Sequence, residues 1–385
     1  MRTDEAYSIL DIVNEEYGII LTKGGNVCIS FKVKEPECYS LSREDIDLRD
    51  KMLKEAFRFL PEGCYIHKQD IFQKKYYHSV PMNWSFLDIA DAKHFENRLY
   101  MQHTCVLHFV LTGLKSLEKS YISSPLKYKE NLHKDDLEKL SNFLEAINNC
   151  ISILKNLRDT QIISIKGDEL RNLILGYSNL FVETNAITDI HVDNELHVGK
   201  IKARYFCICD ETMFPDNSVS SYVKDSSLPM ANAELYHPLL EELGMNLPYN
   251  HIVNQIIYLE GNEKLRAQIA RNIDIYGSNS SMSKSIKVQF EKLDKLQEEI
   301  LEENEILVRT HFSVCIFDES GSNLDKAEKT VKETLNINQF KYYIPGYENL
   351  AKIHFSCVPG QICCMPKEYL VLTTLPIAIC LFLQC

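Results

Sequence analysis

The chain lacks the sequence patterns by which common enzyme and metal-binding classes are recognised. Its 385 residues contain no G-x-S-x-G, no H-E-x-x-H, no G-x-G-x-x-G and no C-x-x-C. These patterns supply, in turn, a nucleophile, zinc-binding histidines, a dinucleotide phosphate loop and a pair of metal-binding or redox-active thiols. We therefore expect this chain not to be an enzyme, with no catalytic residue, no metal ligand and no cofactor of its own.

Positive charge is also scarce. The chain has 42 Lys and Arg against 54 Asp and Glu, which gives a net charge of -12. Proteins that bind DNA or RNA neutralise phosphates with clustered Lys and Arg, so we expect no direct nucleic-acid binding. The 13 cysteines are scattered and odd in number, which is typical of reduced thiols packed as small core residues in a cytosolic protein.

No signal peptide opens the chain, because MRTDEAYSIL is acidic and lacks an apolar core region. The other end, YLVLTTLPIAICLFLQC (369–385), is apolar over 17 residues, near the shortest length that spans a bilayer. Pro376 in its middle and its β-branched residues favour a buried core segment instead. Because the chain stops inside this apolar run, we expect a truncation at Cys385.

The length favours two domains, and 45% apolar residues are enough for sizeable cores. The first predicted domain, 1–115, begins with two β-rich runs, YGIILT and VCISFKV, joined by a turn at 23–26. A helix follows at 46–60, then strands at 64–72 and 103–112. This order predicts a compact α+β module.

A connection with a long helix is predicted for residues 116–160, with a polar surface stretch over 116–135. The helix carries a narrow apolar seam with steps of three and four, made of Leu137, Leu140, Leu144, Ile147, Ile151 and Leu154. The seam is short for a dimer zipper, which favours a helix that packs on its own domain or bridges two domains. We consider it a candidate contact surface.

The second predicted domain, 161–385, has strands at 200–209 and 251–260. A later strand around 312–316, a helix at 324–335 and the strand FKYYIP (340–345) predict a ferredoxin-like split β-α-β element. The expected fold class is thus α+β, with two mixed subdomains joined by a long helix.

An acidic helix is predicted at 286–306. Its carboxylates include Glu298, Glu299, Glu302 and Glu303. Such a run is most simply a solvated helix face, and it is also a candidate surface for a basic partner segment.

The stretch GSNSSMSKS (277–285) resembles a phosphate-binding loop, G-x-x-x-x-G-K-[ST]. It lacks the second glycine, and the count from Gly277 to Lys284 is one residue too long. No buried strand is predicted before it, and capping of the following helix by Ser283 or Ser285 explains the serines. A nucleotide-binding protein with a degenerate loop near Lys284 is an alternative function.

The run His67-Lys68-Gln69-Asp70 places four polar residues inside a strand-like segment. Side chains alternate between the two faces of a strand, so these residues cannot all face solvent if the strand is central. The run could be a buried network or an interface, and the sequence leaves both open.

Several stretches resemble, in order, the N-terminal half of the TraG family of conjugative-transposon ATPases, the VirB-type ATPases of type IV secretion. They are YIHKQDIF (65–72), LYMQHTCVLHFVLT (99–112), HIVNQIIYLE (251–260), AQIARN (267–272), the Ser-rich entry to the 286–306 helix and IHFSCVPG (353–360). The chain departs from the family pattern after Pro359-Gly360, where Gln361 and a Cys-rich segment follow.

This resemblance implies a region that precedes a RecA-like motor domain, with no motor in this chain. ATP and magnesium are then expected only for the motor. The implied function is a docking or regulatory region of an ATPase for DNA transfer by conjugation, peripheral at the cytoplasmic face of the bacterial inner membrane. The implied partners are inner-membrane channel subunits and its own motor domain, and a homo-oligomer is possible. A stand-alone interaction or scaffold protein, dimeric through the seam, is a further alternative.

Overall fold

A computed structural model of the chain describes residues 8–14, 17–34, 42–79, 85–115, 133–158, 160–181, 188–215, 222–224, 236–279, 281, 283–303 and 305–380. Helices and strands are mixed along the chain and the strand pairs are antiparallel, which confirms the α+β class. The strands are β1 (Ile9–Asn14), β2 (Gly18–Thr22), β3 (Val27–Lys34), β4 (Cys64–Tyr76), β5 (Leu99–Leu111), β6 (Gln161–Ser164), β7 (Ile190–Val192), β8 (Leu196–Val198), β9 (Ile201–Ile208), β10 (Tyr222–Lys224), β11 (Tyr236–Pro238), β12 (His251–Tyr258), β13 (Leu307–Asp318) and β14 (Val371–Thr374). The helices are α1 (Arg43–Phe57), α2 (Phe86–Phe95), α3 (Lys134–Leu154), α4 (Gly167–Ser178), α5 (Asn262–Asn279), α6 (Lys284–Glu303), α7 (Gly321–Ile337), α8 (Tyr347–Ser356) and α9 (Leu375–Cys380).

One large sheet organises the described residues. Its strand order is β1-β2-β3-β5-β4-β12-β13-β9-β8-β7, with β6 added on β3 and β14 on β13. At its centre, β4 pairs with β12 from Tyr65 opposite Tyr258 to Phe72 opposite His251. Strands of both predicted domains therefore share one sheet, and the division into 1–115 and 161–385 stays a prediction about folding units.

The hairpin of β2 and β3 forms as predicted. Thr22 N donates to Asn26 O at 3.0 Å, and Gly25 lies between them with a φ of 73°. This backbone conformation is easily adopted by glycine, which explains the Gly-rich turn between the two apolar runs.

Because side chains alternate along a strand, the sheet has two distinct faces. We name them after β4: the His67 face carries His67 and Gln69, and the Lys68 face carries Lys68 and Asp70. The His67 face is covered by α4 and α8. The Lys68 face is covered by α1, α3 and α9 over β3, β5 and β4, and by α7 over β12, β13 and β9.

Helices α5 and α6 lie between β12 and β13 in the chain and pack against each other. Leu265 and Ile269 near the start of α5 contact Ile300 near the end of α6, so the two helices are antiparallel. A Cβ atom added at Gly277 would lie 3.1 Å from the Phe290 ring, so a glycine permits the close approach of the helices at their turn.

Two segments differ from the prediction or extend it. FKYYIP (340–345) was predicted as a strand, but it forms only an isolated bridge between Tyr343 and Cys207. The β13 strand and the α7 helix of the predicted split β-α-β element are present. In the apolar tail, Leu375, Ala378 and Ile379 are buried in the core on the Lys68 face. As far as residue 380, where the described residues end, the tail is therefore the buried core segment that was predicted. Residues 116–132 of the predicted surface connection lie outside the described residues.

Candidate functional site

The predicted apolar seam on α3 lies mostly inside the protein. Its buried members are Ile147, Ile151 and Leu154, and its half-buried members, which contact the same core, are Leu140 and Leu144. Leu137 is 51% exposed. The alternative in which the helix packs on its own domain therefore describes most of this surface.

The buried side of α3 is also broader than the seam, because it includes Phe143, Ala146 and Cys150. A helix that packs on a sheet buries a wide apolar stripe, whereas a coiled coil buries a narrow one. A seam drawn from Leu and Ile alone missed these three positions. Ala and Cys are weak signals of a core, and Phe143 was left out because it lies directly beside the seam residue Leu144.

The predicted acidic surface lies on α6. Glu298 is exposed there, and Glu299, Glu302 and Glu303 belong to the same helix, but their side chains lie outside the described part of the structure. A role for this face in partner binding stays a prediction.

The stretch GSNSSMSKS joins two helices. Gly277 lies in the last turn of α5, and α6 begins at Lys284 directly after Ser283. A phosphate loop follows a buried strand, so the element before Gly277 is of the wrong type for that motif.

A buried hydrogen-bond network crosses the centre of the His67 face. Ser30 Oγ lies 2.7 Å from His108 Nδ1, and His108 Nε2 lies 3.0 Å from Gln69 Oε1. Gln69 Nε2 donates to Asn254 Oδ1 at 2.7 Å and to Cys357 O at 2.9 Å. Since Gln69 Oε1 accepts, His108 donates from Nε2 and its Nδ1 accepts from Ser30. The network thus joins β3, β5, β4, β12 and the residue after α8.

His67 extends this network, with Nε2 at 3.2 Å from Asn254 Oδ1. A second chain on the same face runs from Tyr177 OH to Tyr205 OH (3.1 Å) and on to His354 Nδ1 (2.8 Å). Both tyrosines and His354 are buried. The helices α4 and α8 are therefore joined to β9 by polar contacts as well as by packing.

Burial keeps the histidines of this face neutral. It lowers the pKa of His67 and of His354 to about 3 and that of His311 to about 4, and it lowers the pKa of His108 well below the usual range. His311 Nδ1 lies 2.8 Å from Tyr369 O, which fixes its proton on that nitrogen. At neutral pH the network consists of uncharged groups, and it is suited to fixing strand register rather than to moving charge.

An ion pair with a histidine partner lies on the opposite face. Lys68 Nζ is 2.8 Å from Asp70 Oδ2, and His103 Nε2 is 2.9 Å from Asp70 Oδ1. The side chains of Lys68 and Asp70 are 4% and 1% exposed. Burial by itself raises the pKa of Asp70, but Lys68 and His103 outweigh it, so the pKa is lowered. The ring of Phe72 stacks between His103 (4.5 Å) and His251 (4.4 Å).

These contacts decide between the two interpretations of His67-Lys68-Gln69-Asp70. All four residues are buried. They form one network on each face of a central strand, so the run is a buried network and not an interface. Across the described part of the chain, no three His, Cys, Asp or Glu side chains are grouped so as to hold a metal ion.

One exposed feature had not been anticipated. The outer ends of β4 and β5 carry α2 between them, and α2 buries only Ala92. Phe86 is 83% exposed and Leu87 is 71% exposed. The sequence gives one signal for this surface, namely the many apolar and aromatic residues between positions 76 and 100. These residues do not follow the amphipathic period of a helix that packs on a core.

Within the described residues, no helix combines the length and apolar character needed to span a lipid bilayer. The chain matches no protein-family model, and a search of curated proteins returns no significant match.

Proposed function

We propose that this chain is the non-catalytic docking region of a conjugative type IV secretion ATPase of the TraG family. In this proposal it lies at the cytoplasmic face of the bacterial inner membrane, peripheral to it. It contacts channel subunits in that membrane and the motor domain of the same ATPase, which is the part that hydrolyses ATP with magnesium during DNA transfer.

The proposal rests on one observation: the segments that resemble the TraG family lie next to one another in the structure. YIHKQDIF lies in β4, LYMQHTCVLHFVLT spans β5, and HIVNQIIYLE spans β12, which are three adjacent strands. IHFSCVPG ends α8, and its Cys357 carbonyl accepts a hydrogen bond from Gln69 of the first segment. Segments up to 288 residues apart thus supply one buried network. Residues that determine a fold are expected to cluster in this way, whereas chance similarities would be scattered over the molecule.

The architecture also favours docking over chemistry. The polar groups at the centre of the sheet are buried, neutral on one face and ion-paired on the other, and they bond to one another. Within the described residues, His67 Nδ1, Asn254 Nδ2 and both polar atoms of the Gln255 side chain have no hydrogen-bond partner. The exposed features are instead of the kind that partners cover, namely the α2 surface and Glu298 on α6. A basic segment of a channel subunit is the complementary partner for the acidic α6 face.

The test is recovery of the inner-membrane channel subunits from detergent extract on the immobilised chain. The perturbed variant carries Lys at Glu298, Glu299, Glu302 and Glu303. The matched control carries Lys at four exposed carboxylates on other helices, Glu138, Glu145, Glu263 and Glu333. We expect reduced recovery with the first variant and normal recovery with the second, and the reduction should shrink in high salt.

Equal recovery by both variants would remove the α6 face from the proposal. Failure of the parent chain to recover any channel subunit would contradict the proposed function itself.

A further inference from the structure

The strands β4 and β5 extend beyond the rest of the sheet. They pair with each other out to Tyr76 opposite Leu99. Strand β12 accompanies β4 only as far as Phe72, and β3 accompanies β5 only from Cys105 onward. Residues 73–76 and 99–102 therefore have no other partner among the described strands, and they form a two-stranded arm.

Helix α2 caps this arm and is held on it by specific contacts. Ser85 and Asp88 form a reciprocal capping box at its start. At its end, Asn97 N donates to Tyr77 O at 2.9 Å, which ties the helix back to the strand. The tip of the arm is thus a built element with a defined conformation.

The tip exposes large apolar side chains on every side. Those in residues 76–100 are Tyr76, Tyr77, Phe86, Leu87, Ile89, Phe95, Leu99 and Tyr100. Successive helix residues are about 100° apart, so the four on α2 are spread around the whole helix. Asp88, Asp91, Lys93 and His94 are exposed between them, so α2 has no apolar face separated from a polar one, and its large apolar side chains are not buried by the protein itself. A protein partner with a single contact surface would cover only part of this tip.

The arm is slightly cationic in a chain that is acidic overall. Residues 73–102 contain four basic side chains, Lys74, Lys75, Lys93 and Arg98, against three acidic ones, Asp88, Asp91 and Glu96, whereas the whole chain has a net charge of -12. Lys75, Lys93 and Arg98 are exposed around the tip, as are Asp88 and Asp91, and Glu96 accepts from Ser79 N at 2.9 Å. Aromatic residues flanked by Lys and Arg are the composition of segments that lie at the headgroup level of a bilayer.

We propose that the arm, formed by the ends of β4 and β5 with α2 at its tip, inserts into the interfacial region of an anionic lipid bilayer. At 10 residues, α2 is too short to span the bilayer, so the contact is superficial. The inference deepens the membrane-peripheral location in the proposed function, but it rests on the chemistry of the arm alone.

The test is co-sedimentation of the full chain with vesicles of phosphatidylcholine, alone or mixed with phosphatidylglycerol. Trp84 is the one Trp of the chain and precedes α2 by two residues in the sequence, so its fluorescence reports on this region. We expect binding to the mixed vesicles, weaker binding to the neutral ones, and a blue shift of the Trp84 emission.

Two variants test whether vesicle binding depends on the arm or on exposed apolar side chains in general. Phe86→Ser with Leu87→Ser should weaken vesicle binding about tenfold or more, since each loses an inserted apolar group. Ile337→Ser removes a side chain that is 73% exposed on α7, and it should bind like the parent. All three positions are exposed, so the circular dichroism and thermal unfolding of each variant should match those of the parent.

No binding by the parent, or equal binding by the Phe86/Leu87 variant, would overturn the proposal. So would a parent that ignores vesicles while the same variant loses channel subunits in detergent, because the arm would then dock on protein. The vesicle assay contains no channel subunit and the detergent assay contains no bilayer, so the two proposals fail separately.

Discussion

Replacement of Asp70 by Asn tests the buried ion pair most directly. The substitution preserves the shape of the side chain but removes the charge that lies 2.8 Å from Lys68 Nζ. The Lys68 side chain is 4% exposed, so its ammonium group would stay buried without the Asp70 carboxylate. Removal of one partner from a buried pair typically costs about 3–5 kcal/mol of unfolding free energy. A domain is stable by about 5–15 kcal/mol, so this loss would be easy to detect.

The double variant Lys68→Met with Asp70→Asn is the matched control. It removes both charges, and it keeps an amide oxygen that can accept from His103. Replacing both members of a buried pair is often close to neutral, so the double variant should be more stable than Asp70→Asn alone. Urea unfolding followed by circular dichroism gives the free energies, provided that the slope with urea is unchanged.

The pH dependence gives an independent measurement. The folded pKa of Asp70 is lowered relative to the unfolded value of about 3.9. The ionised carboxylate therefore contributes stability that is present above that pH and is lost as the pH falls through the folded pKa. As the pH falls from 5 through the folded pKa of Asp70, the Asp70→Asn variant should lose less unfolding free energy than the parent. A variant within about 0.5 kcal/mol of the parent at pH 7, or a double variant no more stable than the single one, would refute the reasoning.

Two further predictions concern α3 and the exposed thiol. Ile147→Ala should cost about 2–5 kcal/mol of unfolding free energy with no change in sedimentation mass, because Ile147 is buried in the chain's own core. The control Leu137→Ala should cost far less, because Leu137 is exposed. A change of mass in the Ile147 variant would instead favour the self-association alternative. The neighbouring Cys363 lowers the pKa of Cys364 below the usual value for a thiol. Alkylation of Cys364 by iodoacetamide, followed by peptide mass mapping, should therefore be half-maximal at a lower pH than for an ordinary thiol, and this midpoint should rise in Cys363→Ala. A midpoint near pH 8.5 in both proteins would contradict this assignment.

Local patterns in the sequence predicted many of the elements. The β2–β3 hairpin, the strands β4, β5, β9, β12 and β13, and the helices α1, α3, α6 and α7 all form at the predicted places. Their signals are apolar periodicity and turn residues, which act over a few neighbours along the chain. The strand predicted at 340–345 failed because β propensity does not supply a pairing partner, and only Tyr343 finds one, in Cys207.

The candidate sites depended more on the tertiary structure. The polar run around His67 was visible, but its burial was decided by β5 and β12, which pair with β4 on either side. The sequence identified part of the buried surface of α3, whereas its full width depends on the side chains of the core that it covers. The arm at α2 was missed, because a helix whose apolar residues follow no helical period does not reveal which of them are buried.

The sequence by itself determined the class of the fold, the type of most elements and the absence of the common catalytic motifs, since each of these is set by residue types and short spacings. Only the tertiary structure decided that β4 lies beside β12 and that Gln69 meets Asn254 and Cys357. It also decided that Phe86 and Leu87 stay exposed at the end of an arm. The physical reason is that strand order and burial follow from contacts between residues far apart in the chain, such as Gln69 and Cys357 at a separation of 288 positions, which leave no local pattern in the sequence.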